Sequence, residues 1–209
     1  MRVFTKEVLS QRKSFFSLVA YRGIFYGSVW SAKNAQIFDN PAAFVAYQIE
    51  IRQPAEHFQN FTAYGTANRH RTVTKLQGLY DGTSDWEVFC SNPNNLNGRE
   101  VYRYLMQKDK FFGIGGLTAL LICGDLECAK FITTEVEDIG DIVESVQRGA
   151  AKALQRNGLV LGNEKGDVSK AFVRLFHFLD DHLTAEEKIL MKWNNWMCEF
   201  ALCKSGRVH

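Results

Sequence analysis

Phe44-Val45-Ala46-Tyr47-Gln48-Ile49-Glu50-Ile51-Arg52 alternates in a way that no other part of the chain does. On an extended backbone Val45, Tyr47, Ile49 and Ile51 point one way, and Ala46, Gln48, Glu50 and Arg52 point the other. That period of two predicts a half-buried antiparallel strand, with Pro41 before it and Pro54 ending it. Working outward, further strands are expected at 58–64, 71–76 and 86–90. Gly65, Gly78, Asp81-Gly82 and the Asn-rich run 92–97 supply the turns between them. The apolar run 117–123 reads as a short buried strand, with 128–132 as its hairpin partner across Gly124-Asp125.

The flanks read differently. Residues 5–27 carry Val8, Phe15, Phe16, Val19 and Phe25 at roughly helical spacing, with Gly23 and Gly27 ending the run. A helix is expected over 98–108, capped near Asn97. Thr134 with Glu137 and Thr184 with Glu187 match the capping box, in which the first side chain and the third residue satisfy each other's free amides. The stripe Val136, Ile139, Ile142, Val143, Val146, Ala150 and Leu154 then predicts one helix ending at Asn157-Gly158. A second follows over 167–182, with Val168, Phe172, Leu175, Phe176 and Leu179 inward. A third opens at Thr184 and carries Ile189, Leu190, Trp193, Trp196, Met197 and Phe200.

Strands gathered first and helices last predict an α+β fold. Residues 1–132 would form a basic, aromatic-rich and mainly antiparallel β part, and 133–209 a group of about three amphipathic helices, either as two parts or as one domain of 1–209. With 46% apolar and 23% charged residues the chain has the composition of a folded globular protein rather than a disordered one. The N-terminus has no early apolar run or cleavage site of a secretory leader, and 15–30 is interrupted by Arg22. The expectation is therefore an intracellular protein, cytoplasmic or nuclear, with no membrane span. Five cysteines, an odd number, agree with reduced thiols.

Charge is the informative feature. Residues 1–75 hold ten Lys or Arg and four Asp or Glu, whereas the remaining residues hold fifteen bases and nineteen acids. The overall net charge of +2 hides this division. A basic segment attracts polyanions. Its densest part is Arg69-His70-Arg71, with Lys75 close by and Tyr64, Phe61 and Phe58 upstream. Bases neutralise phosphates and aromatic rings stack on unpaired nucleobases. Arg69, His70, Arg71, Lys75 and Tyr64, joined by Arg12 and Lys13 if they share a face, are thus the candidate nucleic-acid contacts. Tyr47 is a further stacking platform, and Arg22 would add to the same face.

Other constellations are less complete. His177, Asp180, Asp181 and His182 could offer metal ligands from one helix end, but no second ligand pair is evident, so neither metal nor cofactor is expected. Cys123/Cys128 and Cys198/Cys203 are equally spaced pairs that suit small buried hydrophobes better than a zinc site. Gly113-Ile114-Gly115-Gly116 lacks the phosphate-binding pattern, and no nucleophile elbow is present. Trp193, Trp196, Met197 and Phe200 are residue types favoured at interfaces, so self-association through the last helix is expected. The functional expectation is a non-enzymatic protein that binds RNA or single-stranded DNA and forms a homo-oligomer. A coat, matrix or scaffold subunit is the alternative, and a metal- or Cys-dependent enzyme the second alternative.

Overall fold

The computed structural model describes residues 3–22, 35–50, 73–111 and 113–205, the side chains of 48–50 and 73–75 excepted. Its chain divides into two compact units, Met1–Ile132 and Thr133–His209. Among the described residues every regular element is helical, which overturns the expected α+β fold and its antiparallel sheet.

In the first unit the helices are α1 (Lys6–Leu9), α2 (Arg12–Ala20), α3 (Pro41–Glu50), α4 (Val73–Gly82), α5 (Trp86–Ser91), α6 (Gly98–Leu105) and α7 (Gly116–Cys128). The expected strands at 44–52, 71–76, 86–90 and 117–123 are thus helices in whole or in part. The stretch 44–50 belongs to α3 because its start is a helix start. Pro41 occupies the first turn, where its missing N–H costs nothing. Asn40 Oδ1 accepts the Ala43 amide at 3.0 Å. Phe44 is fully buried and Tyr47, one turn on, lies 5.1 Å from Phe38. The 86–90 segment is α5, with Trp86 inward and Phe89 stacked one turn later. The expected strand 117–123 is replaced by α7, in which Gly124 and Asp125 sit mid-helix, and of its expected hairpin partner Cys128 ends α7 while 129–132 form a turn and bend rather than a strand. The segment 58–64 and residues 71–72 lie outside the described residues, and 73–76 begin α4.

The core of this unit is a web of rings. Phe15 stacks face to face on Trp86, and Tyr104 reaches both. Phe111 packs edge-on against Tyr104. A second cluster joins Phe16, Tyr21, Phe38, Phe44 and Tyr80. Buried polar groups lock the web. Trp86 Nε1 donates to the Leu9 carbonyl at 2.8 Å, and Ser17 Oγ accepts the Phe38 amide at 2.8 Å. Asn97 caps α6 by accepting the Glu100 amide.

The second unit contains α8 (Val136–Val146), α9 (Ala150–Arg156), α10 (Asp167–His182), α11 (Ala185–Met191) and α12 (Asn195–Ser205). The apolar stripe from Val136 to Leu154 spans two helices, because Gln147 turns left-handed at φ 52° and Gly149 follows at φ 51°. Thr134 does not cap α8; Glu135 is its N-cap, and the Thr134 carbonyl accepts Asn195 Nδ2 at 2.6 Å. Likewise the expected third helix breaks at Lys192, φ 51°, into α11 and α12. The capping box of Thr184 and Glu187 is present.

Small residues set the packing here. A Cβ on Gly140 would stand 2.8 Å from Ser169 Oγ and 3.0 Å from its carbonyl oxygen, so α8 and α10 meet almost backbone to backbone. The core is otherwise aliphatic: Ile139, Ile142, Val143, Leu154, Val168 and Leu202 around Phe172.

Candidate functional site

In the second unit α10 loses its burial halfway along its length. Val168, Ala171 and Phe172 at the start of α10 are buried. From Val173 through Asn194 no residue is. This arm comprises the last turns of α10 and all of α11, and it is held by its own contacts. Phe176 and Trp193 stack with planes 6° apart. Asp180 accepts Trp193 Nε1 and the Lys188 ammonium, both at 2.9 Å. Those bonds, the Lys188 one foremost, hold the Asp180 carboxyl below its ordinary range. Thr184 closes the entry to α11 through the capping box.

With Lys188 turned to α10, the neighbouring side chains turn away. Ile189 is 79% exposed, Leu190 84%, Phe178 55% and Met191 37%. The sequence assigns Ile189 and Leu190 to one helix with Trp193, Trp196, Met197 and Phe200; the break at Lys192 puts them on a helix of their own. The four residues expected to carry self-association are divided. Trp193 is half-buried in the arm, Trp196 and Met197 are half-buried on α12, and Phe200 is exposed with the Lys204 ammonium 5.3 Å from its ring. The Trp196 indole N–H is buried with no acceptor among the described residues. Exposed apolar pairs within a helix carry no sequence signal of their own, because the same letters serve a buried stripe.

The expected nucleic-acid contacts fall into two groups. Arg69, His70, Arg71 and Tyr64 lie outside the described residues, as does the side chain of Lys75. Arg12 and Lys13 are described, and each has partners within the first unit. The Arg12 guanidinium lies 3.9 Å from the centre of the Tyr80 ring and donates to the Tyr80 carbonyl at 2.8 Å. Its backbone amide donates to Glu87 Oε1. Lys13 pairs with Asp39 across 3.1 Å on the surface. Arg22 is bidentate on Asp125, and Tyr47 packs on Phe38. An Arg that stacks on a ring and feeds a carbonyl inside the fold reads in sequence like an Arg that meets a phosphate.

The remaining candidates are spread apart or engaged. His177 and Asp181 are exposed, and Asp180 is committed to Lys188 and Trp193. His182 stacks on Phe178, with Nδ1 2.7 Å from the Phe178 carbonyl oxygen. No group of three metal-ligating side chains occurs among the described residues. All five cysteines are free thiols. Burial pushes Cys90 and Cys198 up to about 12, and it also raises Cys123 and Cys128, so these thiols stay protonated and poorly nucleophilic. Among the described residues no helix is long and apolar enough to cross a membrane. Comparison with protein-family models, with curated proteins and with solved structures finds no match to this chain.

Proposed function

We propose that the chain is a non-catalytic nucleic-acid-binding protein that self-associates. One observation carries the binding half: ten bases against four acids in residues 1–75. Arg12, Lys13 and Arg22 already have acidic or carbonyl partners within the first unit. The phosphate contacts are assigned to Arg69, Arg71 and Lys75, with His70 and Tyr64 in the same stretch of sequence, and single-stranded RNA or DNA is the ligand class that bases interleaved with aromatics suit. The exposed arm 173–194 supports the self-associating half.

The test is affinity for a single-stranded oligonucleotide as a function of salt. Log affinity should fall linearly with log salt. The Arg69→Ala/Arg71→Ala double variant should lose about 1.4 from the slope, at roughly 0.7 per single-strand phosphate contact. Arg12→Ala should leave the slope unchanged while lowering stability by about 1 kcal/mol, as the loss of a ring-stacked, carbonyl-bonded Arg implies. An affinity indifferent to salt, or an unchanged slope in the double variant, overturns the reading. The exposed Ile189 and Leu190 favour a second one, an assembly subunit that needs no nucleic acid. It would run as a large oligomer, with the absorbance ratio of pure protein at low and high salt alike.

A further inference from the structure

Resting on the self-associating half of that reading, we infer that the second unit exchanges α12 with a second copy: Lys192 turns from left-handed to helical backbone, α11 and α12 join into one helix, and α12 docks in the other copy's second unit as it now docks in its own. The hinge between the two helices is short. Lys192 caps the end of α11 with φ 51° and ψ 47°. Asn194 caps the start of α12, its Oδ1 accepting the Met197 amide at 2.8 Å. Only Trp193 lies between the two caps. A side chain with a Cβ is unfavourable in the left-handed region, which is why glycine usually holds this place. The hinge is therefore strained, and a continuous helix relieves the strain.

Helical spacing continues across the hinge. Ile189, Trp193, Trp196 and Phe200 follow one another at steps of four, three and four residues, a single stripe on one helix. Asn195, Cys198 and Leu202, which bury α12, recur at steps of three and four on a different side, so straightening the hinge leaves that docking face whole. From Val173 through Asn194 nothing is buried, so straightening takes no side chain out of the core. It gives up the Trp193 stack on Phe176 and the indole bond to Asp180. α12 itself needs a site. Cys198, Glu199, Leu202 and Cys203 are buried, Asn195 Nδ2 donates to the Thr134 carbonyl at 2.6 Å, and Cys203 fills the space that Gly149 leaves. When a straightened helix carries α12 off its own site, the surface that matches it is the same site on a second copy whose α12 has also left. The exchange is reciprocal and closes as a two-fold dimer. Every α12 contact is remade, so the two forms differ at the hinge and in the entropy of association.

The experiment is light scattering coupled to size exclusion, on the nuclease-treated full chain refolded from urea at a series of concentrations. Lys192→Gly should weaken dimerisation about a hundredfold or more. Glycine rests in the left-handed hinge without strain and disfavours the continuous helix, and each dimer has two hinges. Lys192→Ala removes the same charge but favours the helix, so it should leave dimerisation as strong as in the parent or stronger. Asn194→Ala should strengthen it about tenfold or more, because it removes the α12 cap from the closed form and suits a helix interior. None of these positions is buried, and circular dichroism checks that helix content is kept. Two folded surfaces in contact would not answer to Lys192→Gly and Asn194→Ala in opposite directions. A parent dimer that ignores both changes, or moves the same way with both, overturns the exchange and leaves self-association standing through another surface. A Lys192→Ala variant as weak as Lys192→Gly assigns the loss to the charge and also overturns it. A parent that is monomeric throughout removes both the exchange and the self-associating half of the proposed function.

Discussion

The two units solve the same packing problem with different residues. The first fills its interior with rings, Phe15, Phe16, Tyr21, Phe44, Trp86 and Phe111 all fully buried. The second fills its interior with Ile, Val, Ala and Leu around Phe172. It brings helices together through Gly140 and leaves much of its aromatic and aliphatic surplus on an arm outside the core. A large flat ring can be buried from many backbone geometries, so a ring-rich core leaves little periodic trace. Aliphatic helices must present their apolar side chains at one spacing, so the trace is strong. The comparison predicts where each unit is fragile: the first at single large rings, the second at points of close backbone approach.

The largest effect should come from Trp86. It is fully buried, stacks on Phe15 at 3.5 Å and donates to Leu9. Trp86→Ala should cost about 3–5 kcal/mol, the usual effect of removing a buried aromatic. Trp86→Phe keeps the stack but leaves the Leu9 carbonyl without its donor, and should cost about 1–3 kcal/mol. Trp193→Ala, on the half-buried arm, should cost far less than Trp86→Ala. Urea denaturation monitored by circular dichroism measures all three. Equal costs for Trp86→Ala and Trp193→Ala would break the comparison, because the ring-filled core would then be no more dependent on its aromatics than the arm is.

A smaller effect should separate two glycines. Gly140→Ala places a methyl 2.8 Å from Ser169 Oγ and 3.0 Å from the Ser169 carbonyl oxygen. The overpacking costs about 1–3 kcal/mol, which outweighs the ~1 kcal/mol an exposed helix gains from Ala. At Gly78 in α4 a Cβ would meet nothing within 4 Å, so Gly78→Ala should stabilise the first unit by about 0.4–1 kcal/mol. Opposite signs in the two melting temperatures are expected; the same sign for both would mean that the close approach of α8 and α10 does not govern the second unit.

The same contrast explains what could be read from the sequence. In the second unit α10 and the Thr184 capping box were legible, because apolar spacing and cap chemistry are local signals. The breaks at Gln147 and Lys192 were not. Neither residue favours a left-handed backbone over its neighbours, so the turn is imposed by what the flanking helices bury. In the first unit Val45, Tyr47 and Ile49 produced an alternation that a strand would share. The helix start at Asn40-Pro41 and the burial of Phe44 outweighed it, since a period of two over a few residues also fits a helix whose ring contacts are supplied from elsewhere. Of the site, the Trp and Met types gave no account of which apolar side chains are exposed, because burial there depends on which way α11 faces, and Lys188 and Asp180 decide that in three dimensions.

The smallest effect is a pH dependence confined to the arm, and it tests whether the arm is indeed a separate, polar-tied element. A free aspartate is half-protonated at 3.8, and the bonds of Asp180 to Lys188 and Trp193 hold it below that. A carboxyl lowered in the folded state contributes its stabilisation above the ordinary value and loses it as pH falls through the lowered one. Between about pH 6 and 5 the Trp193 environment should therefore be constant, and it should change only below the ordinary 3.8, as Asp180 takes up a proton and releases Lys188 and the indole N–H. Asp180→Asn should remove the Lys188 charge pairing at every pH and flatten that acid limb. The readout is the fluorescence of a variant that retains Trp193 and replaces Trp30, Trp86 and Trp196 with Phe, kept only if its helical circular dichroism matches the parent. An acid transition of Trp193 that persists unchanged in Asp180→Asn would assign the tie to other groups. The aromatic web of the first unit would then not differ from the arm in how charge holds it.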